Sequence, residues 1–259
     1  MKALVIGNGE SRSWFKPCHQ TILDPDVVTY GCNAIYRDGA VNHLISVDYG
    51  MQQEIYDSGW ALENPEFGDI HNVHFANWNI VPADVADAML MGYDIPESFI
   101  HRSKNKTSQC VISGKDPATL HEKIEAMMKQ FPNLDTQDLK LKMEKDVGIW
   151  ITYVNESDNI ESIDYPVGWS AGNTALHLAC QHGAEKVYIM GFDLSSYDGP
   201  INNIYKGTDN YLPADSKGFN SVNWENQMTT TMKEFSDIEF VIFGKDINEA
   251  QLCEELKII

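Results

Sequence analysis

The sequence predicts an α/β protein, a parallel sheet with helices on its faces that carries a mostly helical insertion. Two observations support this. Short, almost wholly apolar runs recur at Lys2–Ile6, Val27–Tyr30, His43–Val47, Lys186–Met190 and Ile238–Phe243, with helix-patterned segments between most of them. Continuous apolar runs are the signature of strands buried on both faces, and parallel strands need such crossovers. Several runs also end in glycine or a polar residue: Gly7-Asn8-Gly9, Asn33, Asp48 and Asp193. Ligands of parallel sheets sit beyond these C-terminal strand ends.

In chain order, Lys2–Ile6 leads into Gly7-Asn8-Gly9 and a helix predicted from Ser11. Val27–Tyr30 ends at Gly31-Cys32-Asn33. His43–Val47 ends at Asp48, with a helix through Met51–Tyr56 and a short strand at Val73–Phe75. From 82 to 164 the alternation loosens. Asp116-Pro117 begins a helix to about Phe131, with proline at its first position, and Thr136–Lys145 forms a second. Gly148–Val154 is strand-like. The chain, 1–259, is thus expected to be one domain with 82–164 inserted as a lid. The rhythm returns with a helix over Ser170–His182, closed by a left-handed Gly183. After Lys186–Met190 comes a long polar segment, Ser195–Val222, of a length that is usually functional or mobile. A helix (Asn223–Phe235), a strand (Ile238–Phe243) and a terminal helix (Ile247–Leu256) complete the pattern.

The formal charge of −19 makes the average surface repel phosphate backbones. Between Arg102 and Lys145, however, nine Lys/Arg face six Asp/Glu, a net of +3. That stretch fits either a solvated helical face or a basic surface for an acidic acceptor. The five cysteines are widely spaced without a Cys-x-x-Cys pair, which disfavours disulfides and structural zinc and fits a reducing cytosol. No apolar run approaches the roughly 20 residues that span a bilayer. The opening run is too short for a signal peptide and meets a glycine turn at once.

Gly7-x-Gly9 follows a strand, so its backbone can approach a phosphate or carboxylate, or it can be a tight structural turn. The third glycine of the dinucleotide fingerprint is replaced by Arg12, which weakens NAD binding. Arg12 is itself a candidate anion partner. Ser170-Ala171-Gly172 opens a helix and suits an anion or an ordinary N-cap. Asp24-Pro25-Asp26 has the form of a metal-binding pair but precedes a strand, and is read as a turn. His71, His74, His177 and His182 read as structural, so no metal ligands are assigned. No Gly-x-Ser-x-Gly elbow supports a serine triad. Tyr197, Tyr205, Tyr211 and Trp224 flank the long segment, either to stack on a sugar or base or to fill the core beneath it.

Taken as a series, strand–Gly-Asn-Gly-x-Ser, Cys32-Asn33-x-x-Tyr36, a strand ending at Asp48, Ser170-Ala171-Gly172-Asn173-Thr174-Ala175-Leu176 and Lys186–Asp193 resemble the bacterial sialyltransferases that use a cytidine-monophosphate sugar. They also resemble related Rossmann-like families of uncharacterised phage proteins and pterin pyrophosphokinase-like proteins. The likeness covers about the first 50 residues and 165–240. It implies a single-domain, Rossmann-like GT-A-variant architecture and a nucleotide-sugar donor held by Gly7, Asn8, Gly9, Asn33, Asp48, Ser170, Ala171 and Gly172. It further implies transfer without an obligatory metal or other cofactor. The family's histidine base has no counterpart here; Glu225 is the nearest proton acceptor, with Asp193 the other candidate. The family's two phosphate-assisting tyrosines fall on Ser195 and Ile201, and Tyr197 and Tyr205 are the nearby substitutes.

The expectation is therefore a glycosyltransferase acting on an acceptor hydroxyl. The phage-like resemblance and the positive insertion extend the acceptor to a hydroxylated or hydroxymethylated base of phage DNA, with Arg102, Lys104 and Lys106 on its phosphates. The setting is then the host cytoplasm, with no membrane contact. The alternatives are a pterin pyrophosphokinase-like Mg-ATP enzyme and a non-catalytic nucleotide-binding protein.

Overall fold

The computed structural model describes residues 1–60, 72–76, 100–102, 110–114, 149–152, 160–163, 167, 170–194, 199–218 and 221–259. It divides into two compact units, one of 1–78 with 157–259 and one of 79–156.

The larger unit is built on seven strands: β1 (Lys2–Ile6), β2 (Val27–Cys32), β3 (His43–Ser46), β4 (Asn72–Ala76), β8 (Ile160–Ile163), β9 (Lys186–Met190) and β10 (Glu239–Ile242). Their order across the sheet is β10-β9-β1-β2-β3-β4-β8, and every pairing is parallel. The chain winds outward from β1 through β4 to β8, then returns to build β9 and β10 on the other side of β1. This reversal creates a switch point between β1 and β9, where the loops leave in opposite directions and open a crevice.

The α-helices among the described residues of this unit are α1 (Tyr49–Asp57), α2 (Ala171–Gln181), α3 (Val222–Glu234) and α4 (Glu249–Leu256). The helix predicted from Ser11 is a single 3₁₀ turn, Glu10–Arg12. The reason lies in Arg12, whose side chain is drawn entirely into the interior, bonding the Gly7 and Phe15 carbonyls.

Helix α2 covers the centre of the sheet. Ser170 caps it, its Oγ accepting from the Asn173 N–H at 3.1 Å, and Gly183 follows it at φ +83°. Ala175, Leu176, Ala179 and Cys180 pack with Val5, Tyr30, Ile45 and Val187 of the strands. Alanine at two successive turns leaves little bulk between helix and sheet. Helix α4 opens on a capping box between Asn248 and Gln251. Asp24 stands in a turn, as expected, accepting from the Asp26 N–H and the Lys2 ammonium.

The described residues of the second unit are three antiparallel strands, β5 (Ile100–Arg102), β6 (Cys110–Gly114) and β7 (Ile149–Thr152). The helices expected over 116–131 and 136–145 lie outside the described residues. The strand β8 falls within 82–164 by number yet completes the main sheet, through its pairing with β4.

At the N-terminal rim of the sheet, His43, His74 and His182 cluster around Tyr30. His43 stacks on the Tyr30 ring at 4.5 Å, its Nδ1 lies 3.0 Å from His74 Nε2, and His182 Nδ1 lies 3.0 Å from the Tyr30 hydroxyl. Glu161 of β8 is 3.2 Å from His74 Nδ1. Burial, reinforced by the neighbouring rings, pushes His43 down to about 4 and His74 down to about 3. Both rings are therefore neutral when folded, while the unfolded chain binds protons near pH 6.5. Their stability contribution is complete above pH 6.5 and is lost as pH falls from there towards 4. Denaturation midpoints between pH 7.5 and 4.5 are expected to fall more steeply for the wild-type chain than for His43→Leu; parallel curves would remove this assignment.

Candidate functional site

A cleft of about 400 Å³ opens at the switch point. Its walls are the C-terminal ends of β1, β2, β3 and β9, the first turn of α2, and the segment 201–212. Of the residues expected to bind a donor, Gly7, Gly9, Asn33, Asp48, Ser170, Ala171 and Gly172 line it, as does Asp193.

The glycine turn is held by the protein itself. The Gly7 N–H donates to the Met190 carbonyl at 2.7 Å and the Gly9 N–H to the Gly191 carbonyl at 2.8 Å. A Cβ on Gly7 would stand 2.4 Å from the Gly191 oxygen, and one on Gly9 would stand 2.6 Å from the Asp193 carboxylate. These glycines let the loops after β1 and β9 touch backbone to backbone, and their N–H groups are spent on carbonyls rather than offered to a phosphate. Asp193 Oδ2 accepts from the Ser11 N–H at 2.7 Å, so the protein's own carboxylate occupies the anion position of this turn.

Asn8 and Arg12 turn inward. Asn8 Nδ2 donates to the Cys32 carbonyl and to the Tyr211 hydroxyl, both at 3.2 Å. Arg12, expected as an anion partner, is fully buried among the Gly7 and Phe15 carbonyls, Asn8 Oδ1, Asp38 and the Tyr205 hydroxyl. It cannot reach a ligand because the closed turn seals it from the cleft side.

Asn33 has φ +51°, a left-handed conformation that asparagine tolerates better than most residues. From it, Nδ2 donates to Asp48 Oδ2 at 2.8 Å. Asp48 is open to solvent inside the cleft, yet crowding by protein raises its carboxyl above the ordinary carboxylate range, against the lowering pull of Asn33. Ala171 and Gly172 line the cleft at the start of α2, where first-turn N–H groups have no acceptor within the helix.

The segment 199–218 is pinned by polar contacts, so its length does not make it loose. Arg37 grips Glu54 and donates to Thr208 Oγ1 and the Asp209 carbonyl, and Asn210 Nδ2 donates to Glu54 Oε2 at 2.7 Å. The Ile204 N–H donates to the Asn8 carbonyl, and Lys206 pairs with Glu10. Tyr205 is one of these anchors. Its hydroxyl donates to Asp38 at 2.6 Å and accepts from Arg12 at 2.9 Å, beneath the cleft rather than in it, and burial raises it far above the ordinary phenol range. A catalytic part for Tyr205 is thereby corrected.

Tyr211 does line the cleft. Its hydroxyl accepts from Asn8 Nδ2 and from the Ala34 N–H at 3.4 Å, which leaves its own hydrogen to donate. Phe192, Asn173, Asn202, Asn203, Asn210 and Trp224 add to the polar and aromatic lining. The sequence hint for those after β9 was the Asn- and Tyr-rich composition of that stretch, which does not say which side chains face in.

Glu225 is exposed on the first turn of α3, its Oε1 accepting from the Ser221 hydroxyl at 2.6 Å, and it does not line the cleft. Arg102 ends β5 in the second unit. Tyr197, Lys104 and Lys106 lie outside the described residues. Among the described residues, no group of three or more His, Cys, Asp or Glu is arranged to hold a metal, and no helix is long and apolar enough to cross a membrane.

No family model, curated protein or solved structure matches the chain.

Replacing Arg12 with leucine would leave Asp38 and the Gly7 and Phe15 carbonyls without their buried partner. Losses of about 3–5 kcal/mol are typical of such broken buried pairs. Urea unfolding of Arg12→Leu is expected to show a loss of this order; a loss below about 1 kcal/mol would mean that the turn is held by other contacts.

Proposed function

We propose that the cleft binds a nucleotide sugar and transfers its sugar to an acceptor hydroxyl, on a GT-A-variant fold. The observation that supports this best is the composition of the cleft at the switch point. One helix N-terminus, at Ser170, Ala171 and Gly172, suits an anionic phosphate. The rest of the described lining carries carboxylates, amides and aromatic rings, the groups that hold sugar hydroxyls and stack on sugar or base faces.

In this reading the donor phosphate faces the start of α2. Asp48, steadied by Asn33, stands beside the sugar, and the amides of Asn202, Asn203 and Asn210 line the cleft along the 201–212 segment. Tyr211 gives a hydrogen bond to the departing phosphate, the part the sequence assigned to Tyr197 and Tyr205. The glycine turn shapes the floor of the cleft through backbone packing. The acceptor is a hydroxyl compound. Its extension to a modified base of phage DNA rests on Arg102, Lys104, Lys106 and the positive charge of 102–145. Retention on DNA is then expected to weaken steeply from 50 to 200 mM salt, and no retention at the lower salt would remove that acceptor.

The competing Mg-ATP and non-catalytic readings separate from this one in a thermal-shift panel of CMP-, UDP- and GDP-sugars, ATP and NAD, with and without Mg²⁺. A sugar nucleotide at about a hundred times its Kd is expected to raise Tm by about 5–10 °C without Mg²⁺. Stabilisation by Mg-ATP alone would overturn glycosyl transfer. Binding of a sugar nucleotide without turnover in the presence of varied alcohols and glycans would favour a sensing protein.

A further inference from the structure

We propose that Asp48 is the catalytic base of the transfer, an assignment that rests on the glycosyl-transfer reading. Three carboxylates compete for this part. Glu225 stands outside the cleft and is bonded to Ser221. Asp193 lines the cleft, but Oδ2 closes the turn at Ser11 and the carboxylate is packed against Gly9. A proton there would weaken the contact that holds the cleft floor.

Asp48 also has one oxygen bonded, but to a side-chain amide, and no contact of the cleft floor among the described residues depends on it. It stands at the end of β3, open to the cleft, and Asn33 fixes Oδ2 from a left-handed backbone position. Among the described residues only Asn33 bonds this carboxylate, at Oδ2, and in this assignment Oδ1 is the oxygen that meets the incoming hydroxyl. Asn33 thereby sets the direction of the other oxygen without consuming it. Crowding in the cleft also raises the carboxyl, which brings its basicity closer to what neutral-pH proton transfer needs. In the step, the acceptor oxygen forms a bond to the anomeric carbon. The bond from that carbon to the donor phosphate breaks, and its electron pair leaves on the phosphate oxygen. The acceptor proton passes to Asp48 Oδ1, and Tyr211 donates a hydrogen bond to the leaving phosphate.

The substitution Asp48→Asn keeps an oxygen for Asn33 to bond while removing the base. The measurement is nucleotide release from a panel of CMP-, UDP- and GDP-sugars with water as acceptor, alongside nucleotide binding by calorimetry. For the sugar nucleotide that the wild-type chain consumes, Asp48→Asn is expected to lower turnover by about a hundredfold to ten-thousandfold. Nucleotide Kd should stay within about threefold and Tm within a few degrees. Unchanged turnover in Asp48→Asn, or a loss of nucleotide affinity that accounts for the whole defect, overturns the assignment and leaves glycosyl transfer standing. A comparable loss in Glu225→Gln with Asp48→Asn unaffected does the same. If the wild-type chain releases nucleotide from no member of the panel, the transfer reading falls and this assignment with it.

Discussion

The larger unit is organised around one buried cation. The Arg12 guanidinium lies where the loop after β1, the 3₁₀ turn after β2 and the 199–218 segment meet, and it bonds to all three. Placing a guanidinium there is costly unless its donors are used, and here carbonyl, amide, carboxylate and phenol oxygens take them. Because its partners come from distant parts of the chain, they must arrive together. Tyr205 binds both Arg12 and Asp38, which ties the long segment to the turn that begins the sheet.

That junction explains the shape of the cleft. The loops after β1 and β9 touch through glycine backbones, so the floor is dense and its N–H groups are satisfied internally. Polar groups facing a ligand must then come from elsewhere, namely the first turn of α2, the Asn33–Asp48 pair and the segment held by Arg37 and Glu54. In the proposed reading the glycines define where the donor lies. The groups proposed to act on it belong to the walls.

The fold was largely legible in the sequence because burial on both faces leaves a plain mark. Strands β1, β2, β3, β9 and β10 appear as apolar runs, and α2 as an amphipathic stretch between a serine cap and Gly183. The helix expected at Ser11 failed for a definite reason. Local pattern favoured a helix, but the tertiary demand on Arg12 ended the segment after one turn. Strand β8 was hidden because Glu161 and Ser162 interrupt its apolar run and its partner β4 is distant in sequence.

For the site, the sequence by itself determined the rim: the strand ends carrying Gly7, Gly9, Asn33, Asp48 and Asp193, and the helix start at Ser170. These positions follow from strand period and cap chemistry, which are local. Only the tertiary structure decided what each does there. It turned Asn8 and Arg12 inward, made Tyr205 an anchor, brought Tyr211 to the cleft and left Glu225 outside it. The physical reason is that a polar side chain's direction depends on which distant donor or acceptor reaches it first, and spacing along the chain does not encode that.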